Sequence, residues 1–164
     1  MRNLVVAVLV WCVLGAPASA QTPDAELMAP IQKFIDSFNK GDVAAAAATH
    51  TATADLVIID EVPPYVWRGA KAFHTWSADL ESDAKKNGIT EPMVRISKAT
   101  RIEQNDDRSY VVVPAVYTFK QRGTAMRAAA QMTVLLKKGA AGWLIEGWTW
   151  TGPKPRPASG SAKE

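Results

Sequence analysis

The chain has 164 residues, with 19 basic and 16 acidic side chains, two histidines and one cysteine. Residues 21–151 carry 15 basic and 15 acidic groups, so the excess positive charge lies at the chain ends. A balanced domain without a basic stripe argues against nucleic acid as a partner. Cys12 lies in a predicted leader, so the mature domain has no disulfide or thiol nucleophile. Two isolated histidines predict no metal site, and no motif predicts a cofactor.

Residues 1–20 have the features of a secretory signal peptide. Arg2 precedes an apolar run over residues 4–14, which is too short to span a bilayer, since spanning takes ~20 residues. Ala18-Ser19-Ala20 then has the small-x-small form of a cleavage site. The alternative is an uncleaved membrane anchor, against which this cleavage site argues. The sequence predicts cleavage after Ala20, a periplasmic or secreted location, and no membrane contact after cleavage.

Two helices are predicted first. Thr22 and Pro23 suit a helix start, and Gly41 suits its end. Pro30 marks either the true first turn or a kink. Asp42 then caps a short, alanine-rich helix that runs to about residue 48. The apolar residues of the first helix recur at helical spacing: Leu27, Ile31, Phe34, Ile35 and Phe38.

A β-hairpin and a third helix follow. The segment ADLVIID (residues 54–60) is apolar on both parities, as in a buried strand, and Pro63-Pro64 ends it. The segment YVW (residues 65–67) forms a short return strand. Gly69 opens the third helix and Asn87-Gly88 stops it. The apolar stripe of this helix is Ala72, Phe73, Trp76, Leu80 and Ala84.

The rest of the chain predicts four antiparallel strands over residues 93–103, 109–120, 126–138 and 143–151. Turn residues such as Asn105-Asp106-Asp107 and Arg122-Gly123-Thr124 separate them. Pro114, in the middle of the second of these strands, implies a bulge or an edge. Residues 152–164 are rich in proline and serine and predict a disordered tail. Helices followed by a meander of strands favour an α+β fold.

This order of elements resembles the nuclear transport factor 2-like superfamily, and within it the SnoaL-like bacterial domains. Three segments carry the resemblance: FIDSFNKGDVAA (34–45), VWRGAKAF (66–73) and GWLIEGWTW (142–150). It covers roughly residues 26–151 within a domain predicted over 21–151. The resemblance implies a cone-shaped, cystatin-like roll with N-terminal helices packed on a curved antiparallel sheet. It also implies an apolar pocket at one end and a homodimer formed through the outer sheet face.

Enzymes of this family often place one carboxylate, or a His-Asp pair, in the pocket. Asp60 shares the face of Leu56 and Ile58 and is the candidate general base, although an aspartate before Pro-Pro can also be a turn residue. His74 is the candidate partner of Asp60, with a half-exposed structural histidine as the alternative. The candidate pocket residues are aromatic: Tyr65, Trp67, Trp76, Tyr117 and Trp148.

The apolar residues of the last predicted strand indicate whether the chain forms a homodimer. Trp148 and Trp150 share one face, while Trp143 and Ile145 share the other unless Gly147 bulges. With two apolar faces, one must face the core, and the other is either covered by a partner chain, which supports a homodimer, or left as a hydrophobic patch. Charged residues in strands must face solvent or find partners, and Glu146 with Arg127 is predicted to be an exposed cross-sheet pair.

Three functions remain open. The first is binding of a small apolar or aromatic molecule in an aromatic-lined pocket. The second is an isomerase, dehydratase or hydrolase that uses Asp60 as base with help from His74 or Tyr117. The third is a dimerising interaction module with a vestigial pocket. The first and third functions need no acid in the pocket, whereas the second requires one.

Overall fold

The computed structural model describes residues 23–158. The predicted signal peptide, residues 1–20, lies outside the described residues. Three helices are present, α1 (Pro23–Lys40), α2 (Val43–Ala47) and α3 (Ala72–Asn87). Within the described part of the chain, no helix combines the length and apolarity that crossing a membrane requires.

The helices form where local signals predicted them. The α1 residues Leu27, Ile31, Phe34 and Ile35 are buried on one side of the helix, and Pro30 lies inside α1 rather than at its start. The Asp42 side chain accepts a hydrogen bond from the backbone N–H of Ala45 and so caps α2.

The eight strands are β1 (Val57–Ile59), β2 (Val66–Arg68), β3 (Ile89–Ile96), β4 (Arg101–Asn105), β5 (Arg108–Gln121), β6 (Thr124–Gly139), β7 (Gly142–Thr151) and β8 (Arg156–Pro157). They form one sheet in the order β2-β1-β7-β6-β5-β3, with β4 paired to β5 and β8 paired to β6. The predicted α+β, cystatin-like roll with helices packed on a curved sheet is confirmed. One strand pairing was not predicted. Strand β1 runs parallel to β7, so the sheet is mixed rather than purely antiparallel.

Pro114 lies where the edge of the sheet is interrupted. The sequence predicted one strand over residues 93–103, but β3 ends at Ile96 and β4 begins at Arg101. Both segments pair with the continuous strand β5, on either side of Pro114. Proline has no backbone N–H to donate to the neighbouring strand, so the break occurs opposite it.

A bulge in β7 changes which residues share a face. Gly147 pairs with Leu135 while Ile145 pairs with Leu136, which leaves Glu146 as the extra residue. Because of the extra residue, the side chains of Ile145 and Trp148 point to the same face of the sheet, and both are buried in the core. The two apolar faces from which the homodimer was predicted become a single inner face.

The bulge also decides the partners of Glu146. Its carboxylate is buried, forms an ion pair with Arg108, and has its Oε1 3.6 Å from Lys137 Nζ. The predicted exposed pair with Arg127 is wrong, since Arg127 pairs in register with Thr118 near the other end of β6.

The first part of the tail is ordered. Strand β8 pairs with β6 through Met126–Pro157 and Arg127–Arg156, and the Ala158 N–H donates to the Ala125 carbonyl at 2.8 Å. The predicted disorder therefore does not extend over residues 152–158. Residues 159–164 lie outside the described part of the chain.

Candidate functional site

Asp60 lies at the end of β1, where the β1–β2 hairpin meets α3. Its backbone N–H donates to the Tyr65 carbonyl at 3.1 Å and closes the hairpin. The Trp76 indole N–H donates to Asp60 Oδ2 at 2.7 Å, and the Glu61 backbone N–H donates to Oδ1 at 2.7 Å. Both carboxyl oxygens are therefore held in place, and the carboxyl group points towards α3, on the side that the strand alternation predicted.

Burial sets the acidity of Asp60. Removal from water raises the pKa of its carboxyl group, because the charged form loses hydration. The hydrogen bonds from Trp76 and from the Glu61 N–H act in the opposite direction and are weaker. The result is a partly exposed carboxyl group that takes up a proton more readily than an aspartate in water.

A second indole–carboxylate hydrogen bond fixes the hairpin on α3. The Trp67 indole N–H, from β2, donates to Asp79 Oδ2 at 2.8 Å. Trp76 of α3 in turn donates to Asp60 of the hairpin. Each element thus contributes one indole and one acid, so the position of Asp60 depends on the packing of the hairpin against α3.

Tyr117 of β5 contributes a phenol to the same region. Burial and, secondarily, the negative charges of Asp60, Glu61 and Asp83 raise the pKa of Tyr117 to about 12. The half-buried ring packs 4.7 Å from that of Phe119, centroid to centroid. At neutral pH the hydroxyl keeps its proton and can donate a hydrogen bond.

A closely packed aromatic cluster lies behind Asp60. The Trp76 and Trp148 rings meet edge to face with centroids 5.0 Å apart. Trp67, Trp76 and Trp148 are all at most 5% exposed. These three predicted pocket residues fill the core, because their edges and faces close the space between α3 and the sheet.

His50 joins this cluster, and sequence reasoning did not assign it a role. The Trp148 indole N–H donates to His50 Nε2 at 3.1 Å, and His50 Nδ1 lies 3.0 Å from the Ala46 carbonyl oxygen, which fits a neutral ring that donates from Nδ1. Burial lowers the pKa of His50 to about 4. The sequence near His50 could not indicate this role, because the hydrogen-bond partner Trp148 is 98 positions away in the chain.

The other predicted site residues lie apart from Asp60. His74 is exposed on α3, and no hydrogen bond joins it to Asp60 within residues 23–158. His74 and Trp76 are two positions apart and so point to different sides of the helix. Tyr65 is 55% exposed, in the turn of the hairpin. Asp60 therefore acts on Tyr117 through its charge, and within residues 23–158 no hydrogen bond joins Asp60 to either Tyr117 or His74.

Two surface depressions occur elsewhere in the described structure. One, of about 280 Å³, lies between Asp24 and residues 98–102. The other, of about 370 Å³, lies between β6 and the ordered tail. Neither contacts Asp60 or Tyr117. Within residues 23–158 no three His, Cys, Asp or Glu side chains are grouped as metal ligands would be.

Helices packed on one face of a curved mixed sheet define the class of cystatin-like α+β rolls. The SnoaL-like domain family matches residues 27–149. The chain belongs to this family, as the resemblance predicted. No curated protein matches the sequence significantly.

Several solved structures share the fold. A nuclear transport factor 2-like superfamily protein from Salmonella enterica is 13% identical, with a TM-score of 0.66 over 85% of this chain and 96% of that one. A hexachlorocyclohexane dehydrochlorinase is 14% identical, with a TM-score of 0.64 over 83% and 91%. A ketosteroid isomerase-like protein from Erwinia carotovora is 21% identical, with a TM-score of 0.61 over 80% and 96%.

Proposed function

We propose that this domain binds a small apolar or aromatic molecule beside Asp60 and Tyr117. One observation carries the proposal: a carboxyl group fixed by an indole lies in the same region as a phenol that keeps its proton. The half-buried rings of Tyr117 and Trp150, whose centroids are 6.2 Å apart, would supply apolar contact. Acceptor and donor together would orient a polar group of the ligand, as in most small-molecule sites.

Family membership supports a small-molecule binding or isomerase/dehydratase-type role. The predicted leader over residues 1–20 supports export, so that the domain would work in the periplasm or outside the cell.

A second candidate function is proton abstraction with Asp60 as the general base. Its raised pKa favours this function, since a general base works best with a pKa nearer to the working pH. Tyr117 would donate a hydrogen bond to the substrate oxygen that gains charge. The structural likeness to a dehydrochlorinase and to a ketosteroid isomerase-like protein supports such chemistry on this fold.

We expect a thermal-shift screen of small aromatic and terpenoid compounds to find ligands whose binding depends on Tyr117. Tyr117→Phe should weaken such a ligand about three- to tenfold, because one hydrogen bond is lost. The matched control is Tyr110→Phe, an exposed tyrosine of β5. Equal affinity in both variants would contradict the proposed site, and an absence of ligands would favour the interaction module.

The enzyme candidate has a separate test. The Asp60 carboxyl carbon would be followed by NMR from pH 3 to 8, with Asp60→Asn used to assign its signal. We expect a midpoint above about 3.9, the usual value for aspartate. A midpoint at or below that value would remove Asp60 as a buried base and leave the binding function standing.

We also propose that two copies associate through the outer face of the sheet. Tyr110 and Leu135 are cross-strand partners there, and both are exposed apolar side chains. Leu135→Lys should then shift sedimentation equilibrium from dimer to monomer, because a charge would be buried at the contact. A wild-type protein that stays monomeric at high concentration would remove this proposal.

A further inference from the structure

The depression between β6 and the ordered tail is lined by cations. Arg127 of β6 and Lys154 and Arg156 of the tail surround a volume of about 370 Å³, and no acidic side chain lines it. This volume falls within the range of small-molecule sites, roughly 300–1,000 Å³. Together, the three cations and the depression form a basic groove.

Backbone register places two of these cations side by side. Arg127 and Arg156 are direct cross-strand partners of the β6–β8 pair. Such partners have Cβ atoms about 4.5–5.5 Å apart on one face, where two like charges repel each other. The other neighbour of Arg127 is Thr118 of β5, which cannot neutralise it. Within residues 23–158, none of the three cations takes part in an ion pair.

The sequence of the tail presents the cations in this arrangement. In GPKPRP (residues 152–157) prolines alternate with Lys154 and Arg156. Each proline fixes φ near −65° and keeps the segment extended. Pro155 is half-buried while Lys154 and Arg156 both line the groove. Gly152 allows the close approach, since a Cβ there would lie 2.9 Å from the Ala130 Cβ.

We propose that the basic groove binds a multiply charged oxyanion of the phosphate type. The anion would sit between Arg127 and Arg156 and remove their repulsion, and Lys154 would add a third positive charge. Guanidinium groups suit this role because their planar N–H donors match the spacing of phosphate oxygens. The proposal is independent of the function proposed for Asp60, since neither Asp60 nor Tyr117 lines the groove.

The test uses inorganic pyrophosphate as the probe, titrated into the purified protein at an ionic strength of about 0.1 M. NMR should show saturable shifts of the Arg127 and Arg156 side-chain N–H signals. R127Q/R156Q should weaken binding at least about tenfold, as expected when charge-assisted hydrogen bonds are lost. R156E should also abolish binding, because it would give Arg127 an acidic cross-strand partner.

The control is K33Q/K86Q, which removes two positive charges from exposed positions of α1 and α3. It should leave the affinity within about twofold, since exposed charges farther away than ~10 Å are largely screened. If K33Q/K86Q and R127Q/R156Q weaken binding equally, or if no saturation occurs at millimolar pyrophosphate, the groove is not an oxyanion site.

Vesicles of phosphatidylglycerol and phosphatidylcholine distinguish a free anion from a lipid headgroup. Pyrophosphate binding without vesicle binding supports a free oxyanion as the natural ligand. Vesicle binding that pyrophosphate displaces, and that R127Q/R156Q loses, supports a headgroup phosphate in the same groove. If the protein binds only vesicles, and R127Q/R156Q keeps that binding, the proposal is overturned.

Discussion

Acidification from pH 7 to pH 4 is expected to remove about 2–3 kcal/mol of stability through His50 alone. The pKa of His50 is about 4 in the folded protein, against an ordinary value of 6.5. Between these two values the unfolded chain holds the imidazole proton and the folded chain does not, so stability falls as the pH falls. Above about pH 7 both states are neutral and this contribution no longer changes.

The main structural cause is burial, which removes the charged ring from water, and the partners of the His50 ring also leave no acceptor for a second proton. Nδ1 lies within hydrogen-bond distance of the Ala46 carbonyl, and Nε2 accepts from Trp148. Phe34 and Phe73 pack against the ring with centroids 4.9 and 4.5 Å away. A protonated Nε2 would face the Trp148 donor, with no carboxylate among these contacts to stabilise the charge.

Urea unfolding at several pH values between 4 and 7 measures the effect. His50→Gln should flatten the dependence of the free energy of unfolding on pH, because glutamine does not titrate. His74→Gln, which removes the exposed histidine of α3, should keep the wild-type dependence. The raised pKa of Asp60 makes stability rise as the pH falls, which is opposite to the effect of His50. Asp60 is present in the wild type and in both variants, so its effect cancels when they are compared. Equal acid sensitivity in wild type and His50→Gln would contradict the assignment.

The second large effect is expected from Trp148→Phe, which should lower the free energy of unfolding by about 2–4 kcal/mol. The change removes the indole N–H and leaves His50 Nε2 as a buried acceptor without a partner. It also removes ring atoms that pack on Trp76 and Phe34. The unpaired His50 Nε2 and the cavity left by the smaller ring each lower the free energy of unfolding, and Trp148→Phe causes both.

Trp150→Phe is the matched control for this experiment. Trp150 lies on the same strand and faces the same side, but it is half-buried and makes no indole hydrogen bond within the described structure. We expect it to cost about 1 kcal/mol or less. Denaturant unfolding at pH 7 measures both variants. Similar losses in the two would show that ring size, rather than the hydrogen bond to His50, determines the stability.

The site could be predicted in part. The alternation of Leu56, Ile58 and Asp60 along β1 placed the carboxylate on the buried side, and the structure places it there. The Trp76 indole that holds the carboxyl group could not be deduced, because a periodic apolar stripe shows which residues face the core but not which atoms meet there. The role of His74 could not be decided for a related reason, since the pattern fitted both a partner of Asp60 and an exposed helix histidine; the structure shows an exposed histidine.

The sequence by itself determined the order of the three helices and of most strands, the positions of the turns, and the family. Gly88 illustrates why: it ends α3 with φ at 67°, a left-handed conformation that glycine adopts without strain. Such signals are local, and residues close in the chain carry all the information. The SnoaL-like resemblance rested on the same order of local signals.

Only the tertiary structure decided the features that join distant parts of the chain. Among these are the parallel pairing of β1 with β7, the hydrogen bond from Trp148 to His50, and the register that places Arg127 beside Arg156. The bulge at Glu146 also belongs here, because one extra residue reverses the faces of a strand whose two parities are both apolar. In such a strand the hydrophobic pattern fits either orientation, and the packing of α1, α3 and the neighbouring strands selects one.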